Sequence, residues 1–191
     1  MKKLLLFFTV LFVLLLSGCQ TAEESSVEYE HFEFNSTEES LSVESETIVD
    51  FFFGAPVAMI SNGEYGDYRF YRLSVKKVDK DEDGDDLSEP YALLTFSGMK
   101  TEEGVTFEQE KKIPPEALAE LQRIVKSEDL TKYHGIYEYT LNNYGWEGVE
   151  ISVVYDTGEE IWCWRNDLCI VPYKTVKAFL EFALNYVGET N

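Results

Sequence analysis

Positive charge is what this chain has least of. Lys and Arg number 16 against 36 Asp and Glu, a net charge of -20 over 191 residues. Binding phosphates needs clustered Lys and Arg, so nucleic acid is excluded as a partner and anionic headgroups repel the chain. Histidine is nearly absent: His31 lies in an acidic N-terminal stretch, and His134 is the only one farther on. No histidine pair for zinc exists, and there is neither a glycine-flanked nucleophilic serine nor a phosphate loop. Cysteine occurs three times, at Cys19, Cys163 and Cys169. None of the spacings is Cys-x-x-Cys, which argues against thiol redox catalysis.

The apolar run stands at the start. Lys2 and Lys3 precede Leu4 to Leu16, which is apolar apart from Thr9 and is followed by Ser17, Gly18 and Cys19. The run is short for a permanent bilayer span and matches the apolar region of a signal peptide. Leu16-Ser17-Gly18-Cys19 resembles the lipobox of bacterial lipoprotein precursors. That resemblance implies cleavage before Cys19, a diacylglyceryl group on its sulfur, and an extracytoplasmic chain anchored to the membrane through Cys19. Each buried methylene of such an anchor contributes about 0.8 kcal/mol, and two chains hold where one is marginal. Gln20 in place of Asp would allow the outer membrane in a two-membrane bacterium. In a one-membrane host the protein would stay on the outer leaflet of the plasma membrane. The competing reading is an ordinary secretory signal cut near Ala22. Losing residues 1–18 removes two lysines and no acid, moving the charge from -20 to -22.

Residues 19–47 are then a lipidated cysteine and a Glu-, Ser- and Thr-rich tether without a single Lys or Arg. Like charges with few apolar groups do not offset the entropy of ordering. Within it, Tyr29 to Phe34 interleaves aromatic and acidic residues, readable as a docked edge strand or, with more weight, as part of the disordered tether.

A single domain is expected over residues 48–191. Ile48 to Ile60 is apolar apart from Asp50 but broken by Gly54-Ala55-Pro56, which predicts a bend between two short elements. In Tyr68 to Val78, Phe70, Arg72, Ser74 and Lys76 alternate with Tyr71, Leu73 and Val75, a strand pattern. Tyr91 to Phe96 and Val105 to Lys112 continue an antiparallel meander. Pro114-Pro115-Glu116 opens a helix with Leu118, Leu121, Ile124 and Val125 on one stripe, ending near Ser127. Val149 to Tyr155, a turn at Asp156-Thr157-Gly158, and Glu160 to Trp164 form a hairpin. Pro172 opens a second helix with Val176, Phe179, Leu180, Ala183 and Val187 on one side. The expected class is α+β, an antiparallel sheet of meander plus C-terminal hairpin with two helices on one face. This order of elements loosely resembles small bacterial lipoprotein domains of unassigned function.

Three constellations carry possible chemistry. Asp79-Lys-Asp-Glu-Asp-Gly-Asp85 resembles the first half of an EF-hand loop, which implies calcium ligands at Asp79, Asp81 and Asp83 and a carbonyl at Asp85. The second half departs, with Asp86 in place of an apolar residue and Pro90 in place of the bidentate Glu, and the alternative is a solvated acidic hairpin tip. Cys163 and Cys169 flank a three-residue turn at Arg165-Asn166-Asp167. A tight hairpin there would oppose them closely enough for a disulfide, the alternative being two buried thiols. Finally Tyr133, His134, Tyr137, Tyr139, Tyr144 and Trp146, with Trp162 and Trp164, offer an aromatic platform for a protein or glycan ligand, or simply core filling. Strand alternation places Trp162 and Trp164 on one face, opposite Cys163. The expected role is therefore a binding or interaction module at the cell envelope. A hydrolase of envelope polymers working through two carboxylates is the alternative, although no acidic pair stands out.

Overall fold

The computed structural model describes residues 31–34, 41–57, 68–101, 104–140 and 148–188. Cys19, Tyr144 and Trp146 lie outside them. The strands are β1 (His31–Phe34), β2 (Ile48–Pro56), β3 (Tyr68–Lys80), β4 (Asp86–Lys100), β5 (Thr106–Ile113), β6 (Ile136–Thr140), β7 (Val149–Tyr155) and β8 (Glu160–Arg165). The helices are α1 (Ala117–Ser127) and α2 (Tyr173–Val187), with a 3-10 turn at Leu130–Tyr133. The α+β class stands.

All eight strands join one sheet in the order β1-β6-β8-β7-β2-β3-β4-β5. The expected all-antiparallel sheet is corrected at one place: β6 runs parallel to β8, with Ile136 beside Cys163 and Tyr137 beside Trp164. Connectivity supplies the reason. The chain leaves β5 at one edge, crosses behind the sheet through α1, and lays β6 down near the opposite side. β7 then pairs with β2, and β8 fills the gap between β7 and β6.

Two further expectations are corrected. β2 is one continuous strand through Gly54 and Ala55, not two elements about a bend, because Phe51, Phe53 and Gly54 are pinned from both sides by β3 and β7 and Ala55 and Pro56 continue the pairing with β3. His31–Phe34 forms an edge strand antiparallel to β6 instead of remaining in the tether.

Alternation along the central strands sends Phe51, Phe53, Tyr71, Leu73, Val75, Leu94, Phe96, Ile151, Val153 and Cys163 to one buried face. The apolar stripes of α1 (Ala117, Leu118, Leu121, Val125) and α2 (Val176, Phe179, Leu180, Ala183) close over it. Phe179 sits at its centre, its ring centroid 4.6 Å from Phe53 and 5.0 Å from Phe51. Truncating a phenylalanine in such a cluster to alanine costs about 3–5 kcal/mol. The helices are also joined at their margins, where the Tyr186 hydroxyl donates to Glu120 at 3.0 Å and that of Thr175 to Glu128 at 2.6 Å.

The tether boundary moves as well. Residues 41–47 are docked, with Leu41 and Val43 against the core. The Glu44 and Ser45 amides donate to the two carboxylate oxygens of Glu159 at 2.9 and 3.0 Å, and Lys126 pairs with Glu46. Burial of two apolar side chains and satisfaction of these amides give an acidic segment reason to order.

Candidate functional site

The aromatic stretch is built around β6. Gly135 introduces it with a φ of +80°, a conformation that suits glycine, and its amide donates to the Trp162 carbonyl at 2.9 Å. In the parallel pairing Tyr137 falls beside Trp164, and Tyr139 follows on the same face. Trp164 stacks on both: its centroid lies 5.0 Å from Tyr137 with 29° between planes, and 5.7 Å from Tyr139 with 12°. Tyr137 and Tyr139 remain 38% and 37% exposed, so they belong to the surface and not to the core. His134 meets Trp162 edge-on at 5.7 Å, and its Nδ1 accepts a long 3.4 Å bond from the Trp162 amide. Tyr133, by contrast, is buried among core residues and is withdrawn as a ligand-binding residue. Of the anticipated platform, Trp162, Trp164 and His134 thus come together, while Trp146 lies outside the described residues.

Strand register carries this surface inward across the helix-free face. Trp164 pairs with Glu150, Glu150 with Gly54, and Gly54 with Arg72. Arg72 lies over the Phe70 ring at 5.5 Å, and Phe52 flanks Gly54 on its own strand. The alternation in β3 does assign Arg72 to the face opposite Leu73. Nothing local, however, links Arg72 or Gly54 to Trp164, because only β2 and β7 bring them into one row.

The end of β8 is held by a polar cluster on the opposite, helix-side face. Arg165 bridges Glu138 of β6 at 2.5 Å and Asp167 at 2.7 Å. Burial works against the guanidinium's charge, but the two carboxylates outweigh it and raise its pKa. Gly148 leads into β7 so close to this end that a Cβ there would stand 1.9 Å from the Arg165 carbonyl oxygen. Only glycine allows that approach.

The cysteine geometry is corrected. β8 ends at Arg165 and no hairpin strand returns, so Cys163 faces Ile151 and Ile136 across the sheet instead of Cys169. Both are free thiols. Burial pushes Cys163 up to about 12 and also raises Cys169, whose sulfur donates to the Val171 carbonyl at 3.6 Å. Protonated thiols of this kind are poor nucleophiles.

The calcium loop is corrected too. Asp79, next to the last residue of β3, is paired with Lys77 at 2.8 Å. The Asp81 Oδ1 accepts from the amides of Asp83 and Asp85 at 3.0 and 2.9 Å, closing a hairpin turn with Gly84 at a φ of +88°. An Asx turn uses the side chain internally. Among the described residues no three His, Cys, Asp or Glu side chains gather in a way that could hold a metal ion, so Asp79, Asp81, Asp83 and Asp85 form an acidic tip and not a cage. Among those residues, too, no helix is long and apolar enough to cross a membrane. Each carboxylate there with a displaced pKa (Glu46, Asp79, Glu128 and Glu159) is displaced downward. A proton-donating acid of a glycosidase needs the reverse.

No family model, no curated protein and no solved structure matches this chain, so function is argued from its geometry.

Proposed function

We propose that this protein is an extracytoplasmic lipoprotein, anchored through Cys19, that displays a binding module at the cell envelope. The observation that carries the binding role is Trp164 stacked against two exposed tyrosines, Tyr137 and Tyr139, on the sheet face that no described helix covers. Large rigid rings at a surface supply contact area at small entropic cost. The anchor rests on the Leu16-Ser17-Gly18-Cys19 motif after its apolar run. The lipid is also what would hold so acidic a chain near an anionic membrane.

Two measurements test this. Metabolic labelling with a fatty acid marks the wild-type chain and not Cys19→Ser; label on the variant removes the anchor. Purified chain co-sediments with isolated cell envelopes, and Tyr139→Ala with Trp164→Ala lowers that retention without altering the far-UV circular dichroism. Equal retention of the double variant removes the aromatic surface from the function. Among the described residues no acidic pair with a raised pKa favours the hydrolase reading.

A further inference from the structure

Building on the binding-module reading, we propose that the helix-free face takes a neutral, hydroxyl-rich glycan chain, laid from Tyr137 and Trp164 across Gly54 to Arg72. Register places these residues in one row over five adjacent strands: Tyr137 beside Trp164, then Glu150, Gly54 and Arg72. Both stacking partners of Trp164 come from β6, and on its other side β7 presents Glu150 in register with it. Gly54 has no side chain and is buried, because the Phe52 ring and the Arg72 stem lie over it, each 3.5 Å from where a Cβ would stand. The row is therefore a surface strip of half-buried Trp164, half-buried Phe52 and exposed Arg72, the last lying over the Phe70 ring. From β8 to β3 is three strand spacings, roughly 14 Å, enough for a short run of sugar rings.

The chemistry selects the occupant. Pyranose rings offer C–H faces to aromatic planes and hydroxyls to both donors and acceptors. The row supplies the planes in Trp164 and Phe52, an exposed acceptor in Glu150 and a donor fork in Arg72. An anionic polymer would be repelled by the net charge of -20. A cationic peptide would meet Arg72 and, four residues on along the same face, Lys76, which faces Asp50. Acids and cations are interleaved along this face, so its charge complements a neutral ligand.

The test uses the full lipidated chain in a polyoxyethylene detergent, which has no sugar headgroup. Calorimetric titrations are run with the N-acetylglucosamine tetramer, with cellotetraose and with a Lys-rich peptide. Saturable binding of a tetrasaccharide is expected, unchanged between about 50 and about 500 mM salt, where an ion-pair contact would fade. Trp164→Ala and Phe52→Ala, which removes the second ring of the strip, should each weaken it about tenfold or more, and Trp164→Phe should retain most of it. No saturable heat with either saccharide overturns the glycan assignment, as does binding that Phe52→Ala and Trp164→Ala leave intact. Peptide binding that needs Trp164 and collapses with salt overturns the glycan but keeps the module. Absence of all three, with envelope retention unaffected by Trp164→Ala, overturns both.

Discussion

The hydroxyl of Tyr71, in the middle of the sheet, donates to the carbonyl of Val176 in the first turn of α2 across 2.6 Å, joining residues 105 positions apart. It is a buried polar rivet in a largely apolar contact between sheet and helix. The hydroxyl is fully buried, so this bond decides whether tyrosine is tolerable at the site.

Tyr71→Phe should therefore cost about 0.5–1.5 kcal/mol, read from urea unfolding near neutral pH. Burial raises the Tyr71 phenol well above its ordinary value, with the nearby Cys169 adding to the effect. The unfolded chain thus loses this proton first as pH climbs past about 10. Stability from this group is complete below that pH and falls as pH rises toward the folded-state value. The alkaline fall should be shallower in Tyr71→Phe. Parallel curves for the two proteins would mean that Tyr133, Tyr155 and Tyr186, also raised by burial, carry the effect.

Glu159 holds the docked segment 41–47. The Glu44 amide, the Thr157 hydroxyl and the Ser45 amide keep its carboxyl below the usual range. Its contribution is complete above the ordinary glutamate pKa and is lost as pH falls through the lower folded value. Glu159→Ala should speed hydrogen exchange at the Glu44 and Ser45 amides while β2 and β3 amides stay protected. Unchanged exchange would show that Leu41 and Val43 alone hold the segment.

The two thiols give a chemical readout. In the native protein at about pH 8, alkylation should be slow, and slower at Cys163, which is 1% exposed. Unfolding without reductant should release two reactive thiols among Cys163 and Cys169. If labelling of these two required a reductant, a bridge would be present and the chain after Arg165 would have to sit closer to β8.

The acidic tip should respond to calcium only as to salt. Melting temperature is expected to rise without saturation, matching sodium chloride at equal ionic strength. A saturable rise that disappears in Asp81→Asn, Asp83→Asn would reinstate the loop as a binding site.

The comparison between sequence and structure divides along the range of the interactions. Tyr68 to Val78, Val149 to Tyr155 and both helices were legible because their apolar period is local: side chains two apart share a strand face, and those three or four apart share a helix stripe. Trp162 and Trp164 were placed opposite Cys163 on the same ground. Within the candidate site, the tryptophans could be named in advance, but Gly54, Glu150 and Arg72 could not be joined to them.

What the sequence by itself determined is the α+β class, the strand and helix faces, and the anchoring motif expected at Cys19. Tertiary structure alone decided that β6 lies parallel to β8, that His31–Phe34 adds an edge strand, that residues 41–47 dock, and that Cys169 does not face Cys163. Each of those depends on a partner remote in the chain: Glu159 for an acidic segment with little apolar content, Arg165 for Glu138, β2 between β3 and β7 for a strand containing Gly54. Periodicity reports which face a residue takes, but pairing free energy is set by the neighbour that arrives from elsewhere.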